Sequence, residues 1–158
     1  MGGTIHVKSC LRVYGPEIES TTVTSLIGLP PTYAHDLGDL VSPRSTRRRS
    51  ESMWMLDSPL GDAATVAEHL EWFMRVLPPE LDIWSRLTAI TQIDLVTTLS
   101  LSGDTATIVV PPGAARYFGE RGIEVQLDLW NDSPASPSAD DSPRSDADEG
   151  SESRGTSD

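Results

Sequence analysis

Residues 4–15, TIHVKSCLRVYG, alternate so that Ile5, Val7, Ser9, Leu11 and Val13 take one face while His6, Lys8, Cys10, Arg12 and Tyr14 take the other. A period of two predicts a strand with one buried side. After Gly15 and Pro16 the period changes. Ile18, Thr22, Val23, Leu26 and Ile27 recur at helical spacing, and Gly28 suits the left-handed residue that stops a helix. The β-branched threonines in this segment weaken it, so the helix must draw on packing. LPPTYAHDLGDLVSP reads as a Pro- and Gly-rich connection. A second strand follows, with Trp54 and Leu56 facing one way and Met53 and Met55 the other.

GDAATVAEHLEWFMRVLPP carries the clearest helical stripe, Val66, Leu70, Phe73 and Leu77, with Asp62 placed to cap its start and Pro78 and Pro79 to end it. ELDIWSRL adds a further turn or two of helix. IDLVTTLSLSGDTATIVV predicts two strands joined around Gly103 and Asp104, and PPGAARYFGERG a short helix ended by Gly122. IEVQLDLW predicts a closing strand, with Ile123, Val125, Leu127 and Leu129 inward and Glu124, Gln126, Asp128 and Trp130 outward. This order implies an α+β domain: about five strands in a mostly antiparallel sheet, helices packed on one face, and a second half reminiscent of a split βαβ unit. Leu11, Leu26, Trp54, Leu70, Phe73, Leu77, Leu99, Leu127 and Leu129 are expected to be buried together.

Composition divides the chain. From Asn131 onward there is no aromatic residue and no aliphatic one larger than Ala, so residues 131–158 are expected to form a disordered acidic tail on a single domain of residues 1–130. The tail holds eight acidic residues and two arginines and the body sixteen acidic and ten basic, so each carries about half of the net charge of -12. Neither part is basic, which argues against general polyanion binding. The single cysteine, Cys10, excludes an intramolecular disulfide and a multi-cysteine metal site and favours a reducing compartment. No apolar run approaches the roughly 20 residues of a spanning helix, and the N-terminus lacks a signal peptide's apolar core, so a cytoplasmic location is expected.

VTSLIGLPPT (residues 23–32), Gly38 and Asp39, SMWMLDSP (residues 52–59), AEHLEWFMRVLPP (residues 67–79) and GIEVQLDLW (residues 122–130) together resemble, in order and spacing, the bacterial family named domain of unknown function 4279. The resemblance spans roughly residues 8–130. It implies a small α+β bacterial domain and transfers no catalytic residue. The run Arg47, Arg48 and Arg49 and the acidic tail lie outside the pattern.

Candidate chemistry is sparse. The histidines fall on a strand (His6), in a loop (His35) and on a helix (His69), and no nucleophile elbow of the GxSxG kind accompanies them. His6 and Cys10 share a strand face but stand about 13 Å apart by strand rise, too far for activation. His35, Asp36 and Asp39 are a thin ligand set for a hard cation, and an acidic residue turning the chain at Gly38 is the plainer reading. No Walker or dinucleotide glycine loop occurs. No metal, cofactor or catalytic residue is therefore expected; a small-ligand, metal-binding or enzyme alternative would use the Thr32–Asp39 loop.

STRRRSESMW raises a nucleic-acid alternative, with Arg47, Arg48 and Arg49 meeting phosphates and Trp54 stacking on a base. Trp54 shares its face with Leu56, however, and arginines in a Ser-rich loop are ordinarily solvated. Trp72 and Trp84 read as an aromatic rim over the core rather than a ligand cage. What remains is the outer sheet face: His6, Lys8, Arg12 and Tyr14 from the first strand and Glu124, Gln126, Asp128 and Trp130 from the last. Such a mixed-charge, partly aromatic surface suits contact with another protein. The leading expectation is a non-enzymatic protein-binding domain, toxin-neutralising or regulatory in kind.

Overall fold

The computed structural model describes residues 4–103 and 105–131. Chain order runs β1 (Thr4–Gly15), α1 (Ser20–Ile27), β2 (Tyr33–His35), β3 (Ser52–Asp57), α2 (Val66–Val76), α3 (Leu81–Thr88), β4 (Gln92–Ser102), α4 (Pro112–Glu120) and β5 (Glu124–Asn131). The fold is α+β. One five-stranded sheet has the order β2-β3-β1-β4-β5, antiparallel throughout except for the parallel β4–β5 pair. What was expected of residues 132–158 lies outside the described residues.

The inner face follows from the period-two pattern. Val7, Leu11 and Val13 of β1, Trp54 of β3 and Leu95 and Leu99 of β4 form one buried cluster with Val23, Ile27, Leu70, Phe73, Leu77, Trp84, Leu87, Ala114 and Phe118 from the four helices. Several buried polar groups inside this layer are paired. Ser9 and Thr97, opposite each other on β1 and β4, share a 2.7 Å hydrogen bond. Trp54 Nε1 donates to Thr24 Oγ1 at 3.0 Å, and Trp84 Nε1 donates to the Pro78 carbonyl at 2.9 Å. Trp84 is thus core, while Trp72 is only half-buried against it.

Four expectations need correction. Residues 105–110 form no strand; the side of β4 on which a hairpin from β4 would pair is taken by β5. With that strand gone, β4, α4 and β5 make a direct parallel crossover rather than a split βαβ unit. The fifth strand is instead β2, three residues against the β3 edge. Leu129 is 56% exposed although it faces inward beside the buried Leu99, because it lies near the end of β5, the edge strand of the sheet.

Helix ends hold a fourth correction. Thr65, not Asp62, caps α2: its side chain accepts from the Glu68 amide at 3.2 Å while the Glu68 carboxylate accepts from the Thr65 amide at 2.7 Å. This reciprocal box satisfies two amides the helix cannot. Gly28 ends α1 at φ 77°, as its position suggested. Gly122 turns from α4 into β5 at φ 65°, where a Cβ would also meet Thr88 Cγ2 at 3.2 Å.

Candidate partner-binding face

On the outer side of the sheet the strand register brings side chains from all five strands into rows. Tyr33, Met55, Arg12, Asp94 and Glu124 form one row across β2, β3, β1, β4 and β5. His35, Met53, Tyr14 and Gln92 form the next, and Asp57, Cys10, Val96 and Gln126 lie on the other side of it. Lys8, Thr98 and Asp128, then His6, Ser100 and Trp130, complete the face. The buried side chains of every helix belong to the opposite face.

The centre of this surface is an ion pair that sequence reading missed. Arg12 Nε and Nη2 donate to Asp94 Oδ1 and Oδ2, each at 2.7 Å, and Tyr14 Oη donates to Asp94 Oδ2 at 3.2 Å. Asp94 is 2% exposed on a face that is otherwise open. The bidentate fork fixes Arg12 in direction as well as position, and its guanidinium also stands 5.7 Å from the Tyr14 ring. Hydrogen bonding to Asp94 raises the Arg12 pKa, and burial followed by Asp94 raises that of Tyr14.

Beside this pair lies an open concavity of about 490 Å³, lined among others by Lys8, Cys10, Arg12, Met55, Asp57 and Thr98. The Ser58–Asp62 segment forms its rim, held to β1 by the Ser58 amide on the Ser9 carbonyl and the Val7 amide on the Asp62 carbonyl, both at 2.9 Å. Burial, then Asp57, pushes the Cys10 thiol up to about 12, so it is no nucleophile near neutral pH.

A family model described as "Domain of unknown function (DUF4279)" matches residues 5–132. The chain belongs to the DUF4279 family. No curated protein and no solved structure matches it.

The remaining candidate residues of this DUF4279 chain can be placed in turn. His6 Nδ1 lies 3.2 Å from Asp62 Oδ2, both side chains about half exposed. Gln126 Nε2 donates to Glu124 Oε1 at 2.7 Å, and Trp130 is 63% exposed at the end of β5. Lys8 and Asp128 are exposed and share a row through Thr98. All eight residues expected at the partner surface, His6, Lys8, Arg12, Tyr14, Glu124, Gln126, Asp128 and Trp130, therefore share one face.

The alternative sites are occupied by structural work. Asp36 Oδ1 accepts from the Ser20 amide at 2.7 Å, tying the α1 N-terminus to the end of β2, and Asp39 Oδ2 accepts from the Asp36 amide at 2.7 Å to close a turn in which Gly38 has φ 87°. His35 lies on the outer face with its ring 5.6 Å from that of Tyr33, and burial lowers its pKa, with Arg49 acting the same way. Among the described residues no group of three His, Cys, Asp or Glu side chains is arranged to hold a metal ion. Among the same residues no helix is long and apolar enough to cross a membrane.

Two of the three arginines fasten their own loop, while Arg47 is exposed. Arg48 Nη1 donates to the Gly38 carbonyl at 2.8 Å, and Arg49 Nη2 donates to Tyr33 Oη at 3.0 Å and to the Val41 carbonyl at 3.3 Å. Trp54 is fully buried, so it offers no ring to a base. One buried imidazole also escaped sequence reading. His69 of α2 is fully buried, its Nδ1 2.8 Å from Ser58 Oγ and its Nε2 without a hydrogen-bond partner. Its only sequence signal was a histidine one position before the Leu70 stripe.

Proposed function

We propose that this DUF4279 domain is a non-enzymatic protein-binding module that seats its partner on the outer sheet face. The observation that carries the reading is the row Tyr33, Met55, Arg12, Asp94 and Glu124, which crosses the whole sheet on the side away from every helix. Arg, Tyr and Met are enriched where proteins bind, and a central Arg locked to a buried carboxylate loses little freedom on association. The side chains stand on paired strands, which hold them in fixed register. A toxin-neutralising or regulatory role accords with a small acidic chain bearing one mixed-charge surface. That finer role rests on analogy of class.

Affinity capture from the source cell with paired variants tests the reading. Lys8→Glu with Met55→Asp should release the captured protein, whereas Leu81→Asp, an exposed site on α3 of the helical side, should not. Equal capture by both variants, with unchanged melting, would remove the outer face as the site. Arg12→Glu is unsuitable here, because it would strand the buried Asp94.

A further inference from the structure

The two edges of the sheet differ. β2 is three residues long, follows Pro30 and Pro31, and is held from outside by the Arg49 bond to Tyr33; short, proline-flanked edges resist pairing. β5 is eight residues long, runs in unbroken register with β4, contains neither proline nor lysine, and has no strand on its other side among the described residues. Leu129 and Trp130, 56% and 63% exposed, project from opposite faces at its end. Such an edge offers a row of amides and carbonyls to another strand.

We propose that β5 pairs antiparallel with β5 of a second copy of this chain, about a twofold axis at Leu127 perpendicular to the sheet, so that two five-stranded sheets join into one of ten strands. The pattern of the strand is self-complementary in this register. Centred on Leu127, the inward positions set Val125 opposite Leu129 of the second copy and Leu127 opposite its own equivalent. The outward positions set Gln126 opposite Asp128 and Glu124 opposite Trp130. Centring on Gln126 would oppose Glu124 to Asp128, and centring on Asp128 would oppose that residue to itself; like charges directly opposite are destabilising. A shift that mixes the two faces is ruled out, because it would turn apolar positions outward.

The pairing also answers the charge problem. Asn131 of one copy lies beside Ile123 of the other, so the two Asn131 residues stand at opposite ends of the interface. Both copies keep their helices on one side and present their outer faces on the other, as an isologous contact requires. A contact of two edge strands is narrow beside the roughly 1,200–2,000 Å² of a standard interface, the size class of weak and transient contacts. Because each chain carries a net charge of -12, screening should tighten it. This inference shares Gln126, Asp128 and Trp130 with the partner reading of the outer face, but sedimentation of the chain alone tests it separately.

Sedimentation of the full chain over the micromolar range is the test. The expected result is a species of twice 17.1 kDa at the upper end, favoured by added salt and lost in Leu129→Glu with Trp130→Glu, but kept in Leu81→Glu. In a Cys10→Ser background, mixed Gln126→Cys and Asp128→Cys chains should cross-link on oxidation faster than either alone, since those positions face each other directly. A chain that stays monomeric at every concentration, as it would if its own residues beyond Asn131 lay on the edge, overturns the proposal. So does a dimer indifferent to the edge substitutions or one that fails to give the mixed cross-link.

Discussion

Arg12 and Asp94 stand directly opposite each other on β1 and β4, and the guanidinium meets both carboxylate oxygens at 2.7 Å. The arginine side chain keeps 31% of its exposure while the carboxylate keeps 3%, so the pair anchors a solvent-facing cation on a buried anion. Removing the exposed partner leaves a buried charge uncompensated. Arg12→Ala should therefore cost about 3 kcal/mol, while the double variant with Asp94→Ala should cost less than the sum of the two single ones. Denaturant midpoints check this; strict additivity would show that the pair is not coupled.

The α2 cap is Thr65 rather than Asp62, the residue expected from the sequence. Thr65→Ala should cost about 1 kcal/mol because it frees the Glu68 amide and disrupts the reciprocal bond. Asp62→Ala should change the melting temperature little, since its carboxylate meets only the half-exposed His6. A larger loss at Asp62 than at Thr65 would contradict the assignment.

Acid should destabilise the fold through its buried imidazoles. Burial lowers the folded-state pKa of His69 and of His35, so the unfolded chain takes up protons first as pH falls. Stability is then full above the ordinary imidazole value of about 6.5, declines as pH falls through it, and levels only below the depressed folded values. Thermal melts from about pH 7.5 to 5 should show this decline, and His69→Gln should flatten it. An unchanged slope in His69→Gln would show that the ring is not held neutral.

Cys10 gives a direct readout of order on the outer face. With its thiol pushed up to about 12 by burial and Asp57, an aromatic disulfide reagent at mildly alkaline pH should label the folded chain far more slowly than the denatured one. Equal rates would mean that this part of β1 opens freely.

How far the sequence carried the reading depended on where each signal resides. β1, β3 and α2 announce themselves, because the period of Leu11 and Val13, of Trp54 and Leu56, and of Leu70, Phe73 and Leu77 is local and long enough to count. β2 has three residues and no period, so only its β3 partners define it. Residues 105–110 carry strand composition, but composition does not say whether an edge is vacant.

The same division holds at the site. That Arg12 faces outward is visible in the alternation of β1, whereas its partner sits 82 residues away and is chosen by register. Asp94 in IDLV reads as an ordinary polar position on a strand; burial comes only when Arg12 and Tyr14 close over it. Leu129 fails in the opposite direction, since alternation sets its face correctly but cannot say that β5 is the edge strand of the sheet.

The most direct measurement for the account is side-chain oxidative footprinting of the captured complex against the free chain. Met53, Met55 and Tyr14 lie on the outer face, while Met74 of α2 and Tyr117 of α4 pack on the helical side. Binding on the outer face predicts that Met53, Met55 and Tyr14 become protected while Met74 and Tyr117 keep their rates. Protection confined to Met74 and Tyr117, with Met53 and Met55 unchanged, would contradict it.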